Sequence, residues 1–232
     1  MIPTIDIIEI ATELGVDACG VASIDRFSNS PNGFNPKDVY SKCQSVIVFL
    51  KTMPSEVIMA ENPIPYTHTA YQIYSELDRI GLALCRELGQ KGVDSVPIPT
   101  DTPYLFWDAK RSHGMGVISL RHAGYLAGLG ILGRNTLLIN KRLGNMVYIG
   151  AILTSASLEP TPMVTDFACP PNCRICLDAC PVSALDGTTV IQKLCREKSF
   201  YKNERGFDIY ACNNCRQKCP LRLGKNKSSV LN

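Results

Sequence analysis

Eight of the eleven cysteines of this 232-residue chain lie between residues 169 and 219, in two blocks that each end in Cys-Pro. The first block is Cys169, Cys173, Cys176, Cys180 and Pro181. The second is the lone Cys195 followed by Cys212, Cys215, Cys219 and Pro220. Thiolates at two- and three-residue spacings with a distant fourth are what a cubane iron-sulfur cluster needs, because four sulfurs must converge on one small object. Structural zinc also uses CxxC pairs, but eight cysteines interleaved in this way favour two 4Fe-4S clusters. In bacterial two-cluster ferredoxins the last cysteine of each run ligates the other cluster. That pattern predicts one cluster on Cys169, Cys173, Cys176 and Cys219, and another on Cys180, Cys195, Cys212 and Cys215. Redox chemistry is the expected work of the chain.

The rest of the sequence bounds the setting. No apolar run approaches the ~18 residues of a membrane span. The opening MIPTIDIIEIATELG carries Asp6, Glu9 and Glu13 and no basic or twin-arginine leader, so a cytoplasmic protein without membrane contact is expected. Cysteines in a reducing compartment serve metal sites more often than disulfides. Cys19, Cys43 and Cys85 stand apart from both blocks and read as small core hydrophobes.

Hydrophobic periodicity gives an α+β fold. Residues 5–14 read as a helix, 16–23 and 45–50 as strands, and 67–90 as the longest helix, with Ala70, Ile73, Leu77, Ile80, Leu84 and Leu88 at helical spacing. Residues 120–126 read as a helix, and 136–140 and 146–154 as strands. Pro97 to Pro103 reads as irregular, and the Pro-containing stretch 157–168 as a linker. The expected division is an α/β domain over 1–156 and a double-cluster ferredoxin-like domain over 157–232. Residues 193–227 hold ten Lys or Arg against three Asp or Glu. That excess suits compensation of anionic clusters better than an RNA surface.

Gly128, Gly130 and Gly133 spell GLGILG, the form of a dinucleotide-binding fingerprint. The context is wrong for one, since a helix precedes the glycines and strands follow. No Asp or Glu occurs between Asp108 and Glu159, whereas Lys110, Arg111, Arg121, Arg134, Lys141 and Arg142 do. The stretch therefore suits an anionic ligand laid along glycine-rich backbone.

The run from His122 to Asn140, HAGYLAGLGILGRNTLLIN, resembles the AGLGWxGKNTLLI segment of epoxyqueuosine reductases, and the downstream cysteine blocks with a lone cysteine between them fit the same family. The resemblance spans roughly residues 5–222. It implies a nitroreductase-like α/β corrinoid-binding domain holding cobalamin, followed by a two-cluster domain that delivers electrons to cobalt, an arrangement shared with reductive dehalogenases. It also implies that Gly128, Leu129, Gly130, Gly133, Arg134, Asn135 and Thr136 line the corrinoid pocket. Ile131 replaces the family tryptophan, and Arg134 the lysine. The acid of the family's VDTxP motif, its proton donor, aligns with His113 to Gly114, which makes His113 the candidate catalytic residue; Asp101, in Asp101-Thr102-Pro103, resembles the motif but lies about a dozen residues early. His122 faces either the cofactor or the core, and His68 an exposed helix start. The family continues into a helical-repeat domain that helps bind tRNA, whereas this chain stops at Asn232, so tRNA is not the expected partner. The leading reading is a cobalamin-dependent reductase of a small molecule, supplied by a ferredoxin or flavodoxin. An electron-transfer protein that reactivates a corrinoid protein and a tRNA-modifying enzyme are the rival readings.

Overall fold

A computed structural model of the protein describes residues 2–225. In chain order it contains α1 (Thr4–Glu13), β1 (Ala18–Ser23), α2 (Pro36–Val39), β2 (Ser45–Thr52), α3 (Pro63–Gln90), β3 (Ser95–Ile98), β4 (Phe106–Asp108), β5 (His113–Met115), α4 (Leu120–Leu126), β6 (Ile131–Leu132), β7 (Leu138–Ile139) and β8 (Val147–Thr154). The cysteine-rich part adds α5 (Ile175–Asp178), α6 (Gln192–Ser199), β9 (Phe200–Lys202), β10 (Asp208–Tyr210) and α7 (Asn214–Gln217).

Four strands form one antiparallel sheet in the order β1-β2-β8-β3. The side chains of β2 divide by the period of a strand. Ile47 and Phe49 face a core shared with α1 and α3, while Val46, Val48 and Leu50 face a second core under α4. Both faces are covered, which is why residues 45–50 form a continuous apolar run instead of alternating.

Two departures from the sequence reading concern proline. Helix α3 begins at Pro63 rather than near residue 67, with Asn62 Oδ1 accepting from the Ile64 amide at 2.9 Å. Prolines in a first helical turn lack only an N–H that would have had no intrahelical acceptor. Pro97 sits inside β3, an edge strand bonded to β8 alone, where its missing donor is tolerated.

Residues 157–168 do not hang free. Leu158 is buried, its amide donating to Ser45 Oγ at 3.0 Å. Thr161 N donates to Val21 O at 2.9 Å and Val21 N to Thr161 Oγ1 at 3.1 Å, so the segment runs along the open edge of β1. Phe167 is buried beside Ile139, Cys219 and Leu221. At the far end the β9–β10 hairpin packs on α3, where Tyr210 N donates to Thr67 Oγ1 at 3.0 Å and the hydroxyls of Tyr74 and Tyr210 lie 3.2 Å apart. Cys43 is fully buried, and Cys19 and Cys85 pack half-buried against the core, as expected of small hydrophobes. Among the described residues, no helix is long and apolar enough to cross a membrane. The basic stretch 193–227 extends past Lys225, and its last two residues lie outside those described.

Candidate functional site

The single-turn helices α5 and α7 carry the central cysteines of the two blocks and pack against each other. Cys169, Cys173, Cys176 and Cys219 line one small pocket together with Pro170, Pro220, Leu221, Ile139, Arg134 and Asn135. Cys195, on α6, lies within electrostatic reach of Cys180 and Cys212, and Cys215 within reach of Cys195 and Cys212. The two sets adjoin, since Cys215 also feels Cys176. Burial pushes the Cys215 and Cys219 thiols up to about 11, with the neighbouring cysteines adding to the rise. Raised so far, these thiols must release their protons for a metal to bind at neutral pH. Among the described residues, no three His, Cys, Asp or Glu side chains are arranged to hold a single metal ion; a cubane spreads its thiolates over four irons, a wider arrangement than the tetrahedron around one zinc.

If the first pocket holds a cluster, Cys219→Ala damages chiefly the cluster held by Cys169, Cys173 and Cys176, more than forty residues away in sequence. Site-resolved spectroscopy of the reduced protein checks this. Loss confined to the cluster of Cys212 and Cys215 would contradict it.

A larger cavity, about 810 Å³, opens where the sheet module meets α6. One wall comes from Arg26, Phe27 and the loop from Asn29 to Phe34. A second comes from β5 and α4, with His113, Gly114, Met115, Gly116, Ser119, Arg121, His122 and Tyr125. A third comes from α6, with Gln192, Cys195, Arg196 and Ser199. No Asp or Glu lines it among the described residues, whereas three arginines do. Arg26 Nη1 donates to Thr161 O at 2.9 Å. Arg121 Nη1 donates to Thr136 O at 3.2 Å. Arg196 is held by Gln192 Oε1 and Tyr104 OH, each at 3.3 Å, and stands over the Trp107 and Tyr104 rings at 5.2 and 5.5 Å. Gln192 also clamps the β4–β5 hairpin to α6, accepting from Gly114 N at 2.9 Å and donating to Gly114 O at 3.1 Å.

His113 and His122 both line this cavity. The His113 ring meets Phe106 edge-on at 6.3 Å. His122 Nδ1 lies 2.7 Å from Ser119 Oγ, and burial, followed by the charge of Arg121, holds its imidazole below the usual range and so neutral at pH 7. His68 is exposed on α3, as expected. Asp101 is not among the cavity-lining residues. Burial raises its carboxyl, against the opposing pull of Arg196.

The glycine-rich stretch stands elsewhere. Of residues 128–136 only Leu132 reaches the cavity. A Cβ on Gly128 would meet Pro162 O at 2.0 Å, and one on Gly130 would meet Ile139 O at 2.3 Å, so these glycines let protein backbones approach each other. Gly133 is closed in by Ile139 and Asn135, and Leu129, Asn135 and Thr136 are buried. Arg134 and Asn135 serve the cysteine loops, donating to Cys173 O and Cys215 O, each at 3.1 Å. Of the six cations in the acid-free stretch, only Arg121 lines the cavity; the sequence pattern gave no sign of Arg26 or Arg196, which join it from distant segments.

No protein-family profile matches the chain. The epoxyqueuosine reductase of Staphylococcus aureus is 29% identical over 95% of this chain and 65% of its own length, and that of Bacillus subtilis is 24% identical over 95% and 64%. The chain thus spans slightly under two thirds of those curated relatives. Among solved structures, an epoxyqueuosine reductase from Streptococcus thermophilus superposes with a TM-score of 0.66 at 21% identity, covering 95% of this chain and 66% of that one. An epoxyqueuosine reductase with an epoxyqueuosine-modified tRNA-Tyr stem loop gives 0.63 at 21%, covering 95% and 65%. A reductive dehalogenase, whose structure bears on B12-dependent dehalogenation, gives 0.67 at 17%, covering 96% and 32%. The mixed α/β fold is therefore the one shared by epoxyqueuosine reductases and reductive dehalogenases. In sequence, the chain is similar to epoxyqueuosine reductases over nearly its whole length.

Proposed function

We propose that this chain is a cytoplasmic oxidoreductase that uses two 4Fe-4S clusters and a cobalamin to reduce a small substrate, with an α/β module over 1–156 and a two-cluster module over 157–232. The observation that carries the reading is Cys195, which belongs to the second set of cysteines and at the same time lines the 810 Å³ cavity. A group bound there lies next to the second cluster, with the first cluster behind it.

The cavity suits a corrinoid in the chemistry of its lining. It is at the upper end of the range for ligand pockets, its walls are largely apolar with Gly114, Gly116 and Ser119 on one side, and its arginines and lack of acids suit the phosphate of a nucleotide tail. When bound, cobalamin would supply a low-potential metal centre able to reduce substrate. Arg26, Arg121 and Arg196 would hold its one anionic group, the phosphate of the nucleotide tail. Arg134 and Asn135 brace the cysteine loops. His113, at the cavity wall, is the candidate proton donor, since imidazole exchanges protons near neutral pH. Electrons arrive singly from a ferredoxin or flavodoxin. A second reading, tRNA modification, draws on the relative solved with a tRNA stem loop, and predicts strongly salt-dependent RNA binding.

Gly116→Phe tests the cavity assignment. Gly116 lines the cavity and leaves a Cβ at ordinary contact, 3.5 Å from Ile118 O, so the ring is expected to fill space without breaking the fold. Cob(II)alamin affinity should fall at least about tenfold, equivalent to about 1.4 kcal/mol, with iron content unchanged. Unchanged affinity would remove the cavity from the proposal.

A further inference from the structure

The β4–β5 hairpin supplies His113, Gly114 and Met115 to the cavity wall, yet packing does little to hold it there. Its strands pair only with each other. Neither contains a buried residue, and Phe106 and Trp107 are half-exposed. A two-stranded hairpin by itself is marginally stable in water, so the tie must come from a neighbour, and that neighbour is α6. One side-chain amide, that of Gln192, meets both backbone groups of Gly114 as a further strand would, accepting from its N at 2.9 Å and donating to its O at 3.1 Å. Arg196, one turn on, donates to Gln192 Oε1 and Tyr104 OH, each at 3.3 Å, and stands over the Trp107 ring. Helix α6 is itself thinly packed. It has eight residues, too few for a stable helix alone, and only Ser199 among them is buried. Cys195 lies between Gln192 and Arg196. As a ligand it would join α6 through iron to Cys180, Cys212 and Cys215, which lie outside the helix.

We infer that ligation of Cys195 fixes this wall of the cavity, and that Gln192 is the positioning residue that carries the order from α6 to Gly114. The inference rests on the two-cluster reading and adds a condition to the cavity's use. His113, Gly114 and Met115 take their places only when the second cluster is present, so a ligand meets a formed wall only in the cluster-replete protein. Coupling between two sites is reciprocal. An occupied cavity therefore helps to retain the second cluster.

The test is hydrogen–deuterium exchange of the reconstituted full chain without oxygen, read by mass spectrometry on peptides covering residues 104–116, with peptides of β2 as the reference for the fold. Gln192→Met keeps the length of the side chain and removes both hydrogen bonds to Gly114. It should speed exchange in the hairpin about tenfold while keeping about eight iron per chain. Cys195→Ala, with about four iron, should speed it as much although Gln192 is intact. In both variants β2 should exchange as in wild type. Hairpin exchange unchanged in either variant would overturn the inference. So would a loss of β2 protection along with that of the hairpin, because the substituted residue would then support the whole fold rather than this wall. Wild-type protein that assembles no clusters would instead overturn the two-cluster reading. The expected exchange pattern in a protein that leaves cob(II)alamin unbound would uphold the inference and remove the corrinoid alone.

Discussion

Gly128→Val is expected to unfold the protein rather than to empty its cavity. Gly128 has φ +70°, and a Cβ there would lie 2.0 Å from Pro162 O and 3.0 Å from Pro162 C. Left-handed backbone costs an L-residue about 1–2 kcal/mol, and a β-branched one more. Overpacking adds about 1–3 kcal/mol where neighbours can yield. Here the obstacle is backbone, in a segment fixed by Thr161 N donating to Val21 O at 2.9 Å and by Arg26 Nη1 donating to Thr161 O at 2.9 Å. A loss of about 4 kcal/mol or more against a total stability of about 5–15 kcal/mol should appear as insoluble expression, or as a thermal midpoint lowered by about 10 °C or more. Gly130→Val, with its Cβ 2.3 Å from Ile139 O, should behave alike. A Gly128→Val protein as stable as wild type, but unable to bind a corrinoid, would return these glycines to the ligand.

The second large effect is on metal content. Wild-type protein reconstituted without oxygen should hold about eight iron and eight sulfide per chain, four of each per cubane, and Cys195→Ala should keep about four after gel filtration. Cys195 stands alone on α6 with no neighbouring cysteine in sequence to replace it. Its loss opens the second cluster toward the cavity it lines, while the pocket of Cys169, Cys173, Cys176 and Cys219 remains intact. The surviving signal should be that of the first cluster. Stoichiometric zinc with little iron, or eight iron retained in Cys195→Ala, would contradict the assignment.

These predictions draw unequally on what the sequence made legible. The helices α1 and α3 were readable because apolar residues repeat at helical spacing, and the strands β1, β2 and β8 because a strand buried on both faces shows as a short apolar run, while the cysteine spacing alone suggested the two ligand sets. The cavity was not readable. Its walls come from segments centred near residues 30, 115 and 195, and nothing local in Arg26 or Gln192 announces that they meet. The glycine run pointed to a ligand because small residues admit close approach of any kind, and a sequence does not say whether the approaching group is a cofactor or another strand. Here Pro162 and Ile139 fill that place. Pro97 hid β3, since only the sheet order shows that its amide lies at an edge. His113 reached the cavity through alignment alone, because its short strand in the β4–β5 hairpin has no apolar period.

The central claim, that clusters and a corrinoid meet across Cys195, is tested most directly by titrating cluster-replete protein with cob(II)alamin under anaerobic conditions and following the visible and paramagnetic spectra of cobalt. The account predicts a spectral change that saturates at about one cobalamin per chain and is weakened by Gly116→Phe. Spectra that stay those of free cob(II)alamin in the presence of excess protein would contradict it, and would leave an iron-sulfur electron carrier with no corrinoid of its own.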